Sequence, residues 1–123
     1  MKIVFLALSL FFILGCSSKK PLYYYGDYSN AYYEDKKELS PQTRTHLLHS
    51  IDEAIEKAPQ GTSARVAPGL YANLGYLYLK AGQNKKAIEN FEKEKALYPE
   101  SSKFMDRIIQ KIKALEEKND ETK

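Results

Sequence analysis

A lone thiol, a pair of imidazoles and a cluster of phenols are the side chains of this 123-residue chain whose types and spacing suggest chemistry. Cys16 is the single cysteine, so no disulfide is open to it. His46 and His49 stand three apart, with Glu53 four beyond His49. On a helix that spacing sets groups side by side. A metal site needs more ligands in fixed geometry, and none follows nearby. The three therefore read as a solvated helix face. Ser63 and the other hydroxyls lie in no nucleophile motif, and no glycine-rich loop offers a phosphate cradle. The expectation is a protein that is not an enzyme, with no catalytic residue, no metal and no small-molecule substrate.

The tyrosines have a different logic. Six of the ten lie in YYYGDYSNAYY, residues 23–33. Tyrosine has an apolar body and a polar tip, which suits half-wet surfaces and interfaces. One reading packs Tyr28, Tyr32 and Tyr33 on the domain with the others nearby. The other makes the segment a patch for a partner or for a membrane surface.

Cys16 stands where an apolar run ends. Met1-Lys2 supplies a positive charge, and Ile3 to Leu14 is apolar except for Ser9. As a helix that run is roughly 18 Å long, too short for a hydrocarbon core about 30 Å thick. A basic start, an apolar centre and a small residue before the cut describe a secretory signal peptide. The stretch Ile13-Leu14-Gly15-Cys16 resembles the lipobox of bacterial lipoproteins, with Leu14 larger than the usual residue. The resemblance implies cleavage before Cys16, a diacylglyceryl thioether on its sulfur and an N-acyl (palmitate-type) chain on the new amine. It places residues 1–15 in the signal peptide. It also implies a lipid anchor at the outer membrane, on its periplasmic face, because Ser17 replaces the aspartate that retains many lipoproteins in the inner membrane. The alternative is an ordinary signal peptide with a chance cysteine, or a buried free thiol.

Without residues 1–15 the chain loses one base, Lys2, from a total of 19 Lys and Arg against 16 Asp and Glu. The remaining charges are interspersed, and no basic block has the scale of a nucleic-acid footprint. The length suits one small domain held together by packing.

The elements that position these groups are helical throughout, and no strand-like alternation occurs. A short helix is expected around Tyr28 to Leu39. Ser40-Pro41 reads as an N-cap with proline at the first helical position. Thr43 stands where a capping box wants Glu or Gln, so no box is expected. Leu47, Leu48, Ile51, Ala54, Ile55 and Ala58 share a face, and Pro59 and Gly61 stop that helix. Pro68 opens the next, with Leu70, Tyr71, Leu74, Leu77, Tyr78 and Ala81 on one face and Gly82 at its end. A third runs from Asn84 to Tyr98 with Ala87, Ile88 and Phe91, ended by Pro99. A fourth starts at Ser101 or Ser102 and carries Phe104, Met105, Ile108, Ile109, Ile112 and Leu115. Its tail EEKNDETK is expected to fray.

Residues 68–101, PGLYANLGYLYLKAGQNKKAIENFEKEKALYPES, resemble one tetratricopeptide repeat. Tyr71, Leu74-Gly75, Tyr78, Gly82, Ala87, Phe91 and Pro99 stand at the repeat's marked positions. Asn84 and Glu94 depart, where the repeat prefers an aromatic and an alanine. Gly75 and Ala87 are small where two helices must approach closely. A mid-helix glycine costs roughly 1 kcal/mol relative to alanine, so close packing accounts for it. The fold class expected is all-α, a short antiparallel helical array with one tetratricopeptide-like helix pair and flanking helices. Residues 16–27 form a lipidated N-terminus and Tyr-rich tether, 28–118 the domain and 119–123 a disordered tail.

The lipobox, the YYYGDY start, the helix at 41–58 and PGLYANLGYLYLKAG together resemble a small family of bacterial lipoproteins of unknown function, often encoded beside a lipoprotein related to the curli secretion channel. The resemblance implies an envelope protein that binds other proteins and supports assembly, with that channel-like lipoprotein as partner. A pilotin-like carrier of an outer-membrane pore protein is the alternative. In tetratricopeptide domains the first helix of each repeat lines the groove. That makes Tyr76, Leu79, Lys80 and Asn73 the partner-binding candidates, with Tyr23, Tyr24 and Tyr25 beside them.

Overall fold

The computed structural model describes residues 19–121; the expected signal peptide and Cys16 lie outside them. The helices are α1 (Tyr28–Glu38), α2 (Pro41–Glu56), α3 (Leu70–Lys80), α4 (Asn84–Leu97) and α5 (Ser102–Glu121), with short 3-10 turns at Ala58–Gln60 and Pro99–Ser101. No strand occurs among the described residues, so the all-α expectation holds. Among them no helix is long and apolar enough to cross a membrane.

α3 is the hub. On one side Leu74 and Leu77 join Ala31, Leu47 and Ile51 of α1 and α2 in a buried cluster. At its start Leu70 meets Ala54 and Ala67, with Tyr23, Tyr24 and Tyr28 packed against them. Its most extensive packing is with α4. A Cβ on Gly75 would stand 2.8 Å from Phe91 Cε1 and 3.0 Å from the Ala87 carbonyl, so the two helices approach closest at the mid-helix glycine. A second cluster, Ala87, Phe91, Met105, Ile109 and Ile112, seals α4 to α5.

Local chemistry explains where the helices begin and end. The α2 start differs from expectation. Ser40 Oγ accepts from the Thr43 amide, and Thr43 Oγ1 accepts from the Ser40 amide, both at 3.1 Å. A threonine hydroxyl thus closes the reciprocal cap usually made by a carboxylate. α3 ends in a Schellman turn, with Gly82 at φ +73° and the Gln83 and Gly82 amides bonded back to the Tyr78 and Leu79 carbonyls.

The start of α3 has no cap of its own. Gly69 precedes it at φ +86° and offers no side chain. The buried carboxylate of Glu94, on α4, fills the role: it accepts from the Gly69 amide at 2.7 Å and the Ala72 amide at 3.2 Å. Negative charge suits a helix N-terminus. The physical reason for glutamate where the repeat pattern prefers alanine is therefore this cap made across the helix pair.

Three further expectations are corrected. Residues 21–27 are not a free tether. The Pro21 and Leu22 carbonyls accept from the Thr62 and Ser63 amides at 3.0 Å, and Gly61 leaves room for this clasp, since a Cβ there would lie 2.7 Å from the Leu22 oxygen. Tyr28 packs on the core as one reading expects, but its companions there are Tyr23 and Tyr24, not Tyr32 and Tyr33. Tyr32 and Tyr33 lie on the outer side of a short helix whose inward positions are Ala31 and Asp35. Finally, α5 stays helical through Glu121 instead of fraying at its polar tail.

Candidate docking site

α5 divides its apolar residues. Met105, Ile109 and Ile112 are buried against α4, whereas Phe104 is 61 % and Leu115 63 % exposed. The apolar residues of α5 therefore form two lines, one in the core and one open to solvent, because no element among the described residues lies beyond α5 to cover the second. The Phe104 end of the open line borders a hollow of about 320 Å³ bounded by Ala72, Tyr76 and Leu79 of α3, Phe91 of α4, and Phe104, Met105 and Ile108 of α5. The positions 72, 76 and 79 share one flank of α3 by helical spacing. Tyr76 remains 44 % exposed.

The binding candidates read from the sequence divide accordingly. Tyr76 and Leu79 meet in the hollow. Lys80 lies instead at a separate cleft of about 290 Å³ with Arg44, Leu48, Leu77 and Tyr78. Asn73 is occupied structurally, its amide donating to Tyr28 Oη at 3.1 Å and so tying α3 to α1. Tyr24 donates to Glu53 Oε1 at 3.2 Å. Tyr25 is 39 % exposed, stacked 6.1 Å from Tyr28 and edge-on to Tyr23 at 6.5 Å. Tyr28 and Tyr32 continue the row at 5.9 Å. Lys36 ends it, 5.2 Å from the Tyr32 ring and 5.8 Å from the Tyr76 ring. One ribbon of rings thus runs from the N-terminal clasp to the edge of the hollow.

Phe104 and Ile108 escaped the sequence reading as binding residues. The available signal was their place at i and i+4 beside the core line of Met105, Ile109 and Ile112, which made the apolar face of α5 wider than one neighbour covers.

The histidines border one open hollow with Pro41, Gln42 and Thr45, but no acid among the described residues completes a ligand set there. His46 bridges α1, with Nε2 3.1 Å from Asp27 and Nδ1 3.1 Å from Glu34. Glu53 is taken by Lys57 at 2.8 Å, and that ammonium, with the Tyr24 hydroxyl, holds the carboxyl below its usual range. No group of three or more potential metal ligands occurs among the described residues.

No curated protein and no solved structure matches the chain. The family described as a domain of unknown function, DUF4810, matches residues 22–108, from the clasp through α1, α2, α3 and α4 into α5. The match takes in the tyrosine ribbon and every residue that bounds the hollow, and the chain belongs to the DUF4810 family.

Proposed function

We propose that this protein is a lipid-anchored docking module of the bacterial envelope, which holds a protein partner in the α3–α5 hollow and supports assembly of an envelope complex. The observation that carries the reading is the hollow itself. It gathers large apolar groups, Tyr76 and Phe104 among them, that are left 44 % and 61 % exposed. Contiguous exposed apolar surface marks binding sites, and tyrosine is enriched at interface hot spots.

The anchor half of the reading comes from the run that ends in Gly15-Cys16. The clasp supports it. Pro21 follows Cys16 by five positions, and at ~3.3–3.6 Å each these keep the domain within roughly 17 Å of the acylated residue. The α3–α4 pair is read as one tetratricopeptide-like repeat, supported by the close approach at Gly75 and the Gly82 turn. The outer membrane is the proposed site, and a curli-channel-like lipoprotein is the partner class that the sequence resemblance implies.

Site-specific photocrosslinking in cells tests this. A photoreactive residue at Tyr76 or at Phe104 is expected to give one shared product, absent when the reactive group replaces Glu89, an exposed residue of α4 that borders a different cleft. Identical products from all three positions would remove the hollow from the docking role. Acyl labelling that persists in Cys16→Ala would remove the anchor.

A further inference from the structure

Resting on that docking reading, we propose that the occupant of the hollow is an amphipathic helix of a partner protein with carboxylates along one flank. The α3 and α5 walls are unbalanced in charge, while on α4, which supplies Phe91, Glu92 is paired with Lys95. From Pro68 to Gly82 there is no acidic residue. From Ser102 to Leu115 the single acid is Asp106, which pairs with Lys95 across the α4–α5 seam. Lys103, Arg107 and Lys111 recur every fourth residue of α5, which stacks them in a line along the helix. None of them meets a carboxylate among the described residues. Beside Lys103 and Arg107 runs the open apolar line of Phe104, Ile108 and Leu115, which the basic line meets at Lys111. It extends roughly 16 Å, about three turns of helix, and its upper part borders the hollow. A partner helix with apolar groups set to meet Phe104, Ile108 and Leu115, and with acids on the adjoining flank and opposite Lys111, matches both lines, in the helix-in-groove mode.

Other occupants fit less well. The chain's own residues outside 19–121 include no Asp or Glu to meet the basic line. A second copy paired two-fold and antiparallel across α5 would set like flank against like flank, opposing the basic line with itself. A lipid surface would have to enter a concavity floored by Phe91, and an anionic one would repel Glu116, Glu117 and Glu121 on the same helix.

The chain has no tryptophan, so Phe104→Trp in the full chain places one reporter at the edge of the hollow. The probes are two synthetic amphipathic helices with the same leucine spacing, one flanked by Glu and one by Lys. The Glu-flanked peptide is expected to shift the indole emission to the blue and to bind at least about tenfold tighter. Adding Arg107→Glu, an exposed change checked for intact helicity by circular dichroism, is expected to weaken or reverse that preference. Equal binding of the two peptides, or a preference unmoved by Arg107→Glu, overturns the proposal. So does quenching of the indole by brominated phosphatidylglycerol vesicles, or its shielding by self-association without peptide. If the peptides fail while Tyr76 and Phe104 still crosslink a shared partner in cells, the helix chemistry falls and the docking site stands. Failure of both removes the site as well.

Discussion

The two long sides of α3 are finished differently. On one, Leu74 and Leu77 are covered by α1 and α2, and the 21–28 segment closes over the start of the helix. On the other, Ala72, Tyr76 and Leu79 reach only the edge of the α4–α5 cluster. Both sides are apolar. They differ in how much chain covers them: two helices and a clasp on one, and on the other a single helix that packs on α4. Apolar area removed from water stabilises by about 25 cal/mol per Å², and the open side forgoes part of that gain. Substitutions on the closed side and at the α3–α4 seam are therefore expected to cost stability, and those on the open side to cost binding.

The largest loss is expected at the seam. Even a Cβ on Gly75 meets Phe91 at 2.8 Å, so Gly75→Leu is expected to cost about 3 kcal/mol, the upper range for overpacking. In a domain this small that lowers the melting temperature by more than about 10 °C. A transition at the wild-type temperature would mean that α3 and α4 are not packed through this glycine. Next comes the cap. Glu94→Ala restores the residue that the repeat pattern prefers, yet it strips the Gly69 and Ala72 amides of their acceptor. A loss of about 2 kcal/mol is expected. If urea unfolding instead finds the variant more stable, the pattern outweighs the cap.

A smaller change probes the closed side near the clasp. Tyr98 donates to the Val66 carbonyl at 2.6 Å, and the Arg65 guanidinium lies 4.9 Å from its ring. Burial, together with the neighbouring Tyr23 phenol, pushes the Tyr98 hydroxyl from its ordinary 10.0 up to about 12. The fold thus favours the neutral phenol. That contribution is complete below pH 10 and is lost as pH rises towards 12. Tyr98→Phe is expected to cost about 1 kcal/mol at neutral pH through the lost hydrogen bond and to flatten the alkaline fall in stability. Parallel alkaline curves for the two proteins would show that Tyr98 titrates as if unfolded.

What the sequence disclosed and what it hid follow the same division. The helix ends were legible because their causes are local: Pro59, Gly82 and Pro99 act within a turn of where they stand. Gly75 was legible because a glycine inside a helix is costly without a close neighbour. Glu94 was not, since its role depends on an amide terminus 22 and 25 residues away in sequence. Thr43 hides its role because the usual pattern has a longer Glu or Gln side chain at that place, whereas here a short hydroxyl reaches the Ser40 amide. The hollow was half legible. Spacing sets Tyr76 and Leu79 off the core line, but periodicity cannot count how many helices will cover a wide apolar face, so it does not separate Phe104 and Leu115 from the buried Met105, Ile109 and Ile112. The docking of Tyr23 and Tyr24 depends on the loop at Gly61, which no local pattern reveals.

Tyr76→Ala is the smallest expected change in stability and the sharpest test of the open side. The ring is nearly half exposed, at 44 %, and its hydroxyl makes no hydrogen bond among the described residues. Its contacts are the edge of the hollow and the Lys36 ammonium 5.8 Å away. Truncation is expected to cost about 0.5 kcal/mol, as surface substitutions do, while crosslinking through Phe104 falls by about tenfold or more, the scale of a hot-spot loss. Leu74→Ala, two residues earlier and 6 % exposed, is the reference and should cost about 3 kcal/mol. The comparison breaks if the two variants melt together. Tyr76 would then be holding α3 in place, the open side would be part of the core, and the partner would have to be sought on the exposed ring of Tyr25.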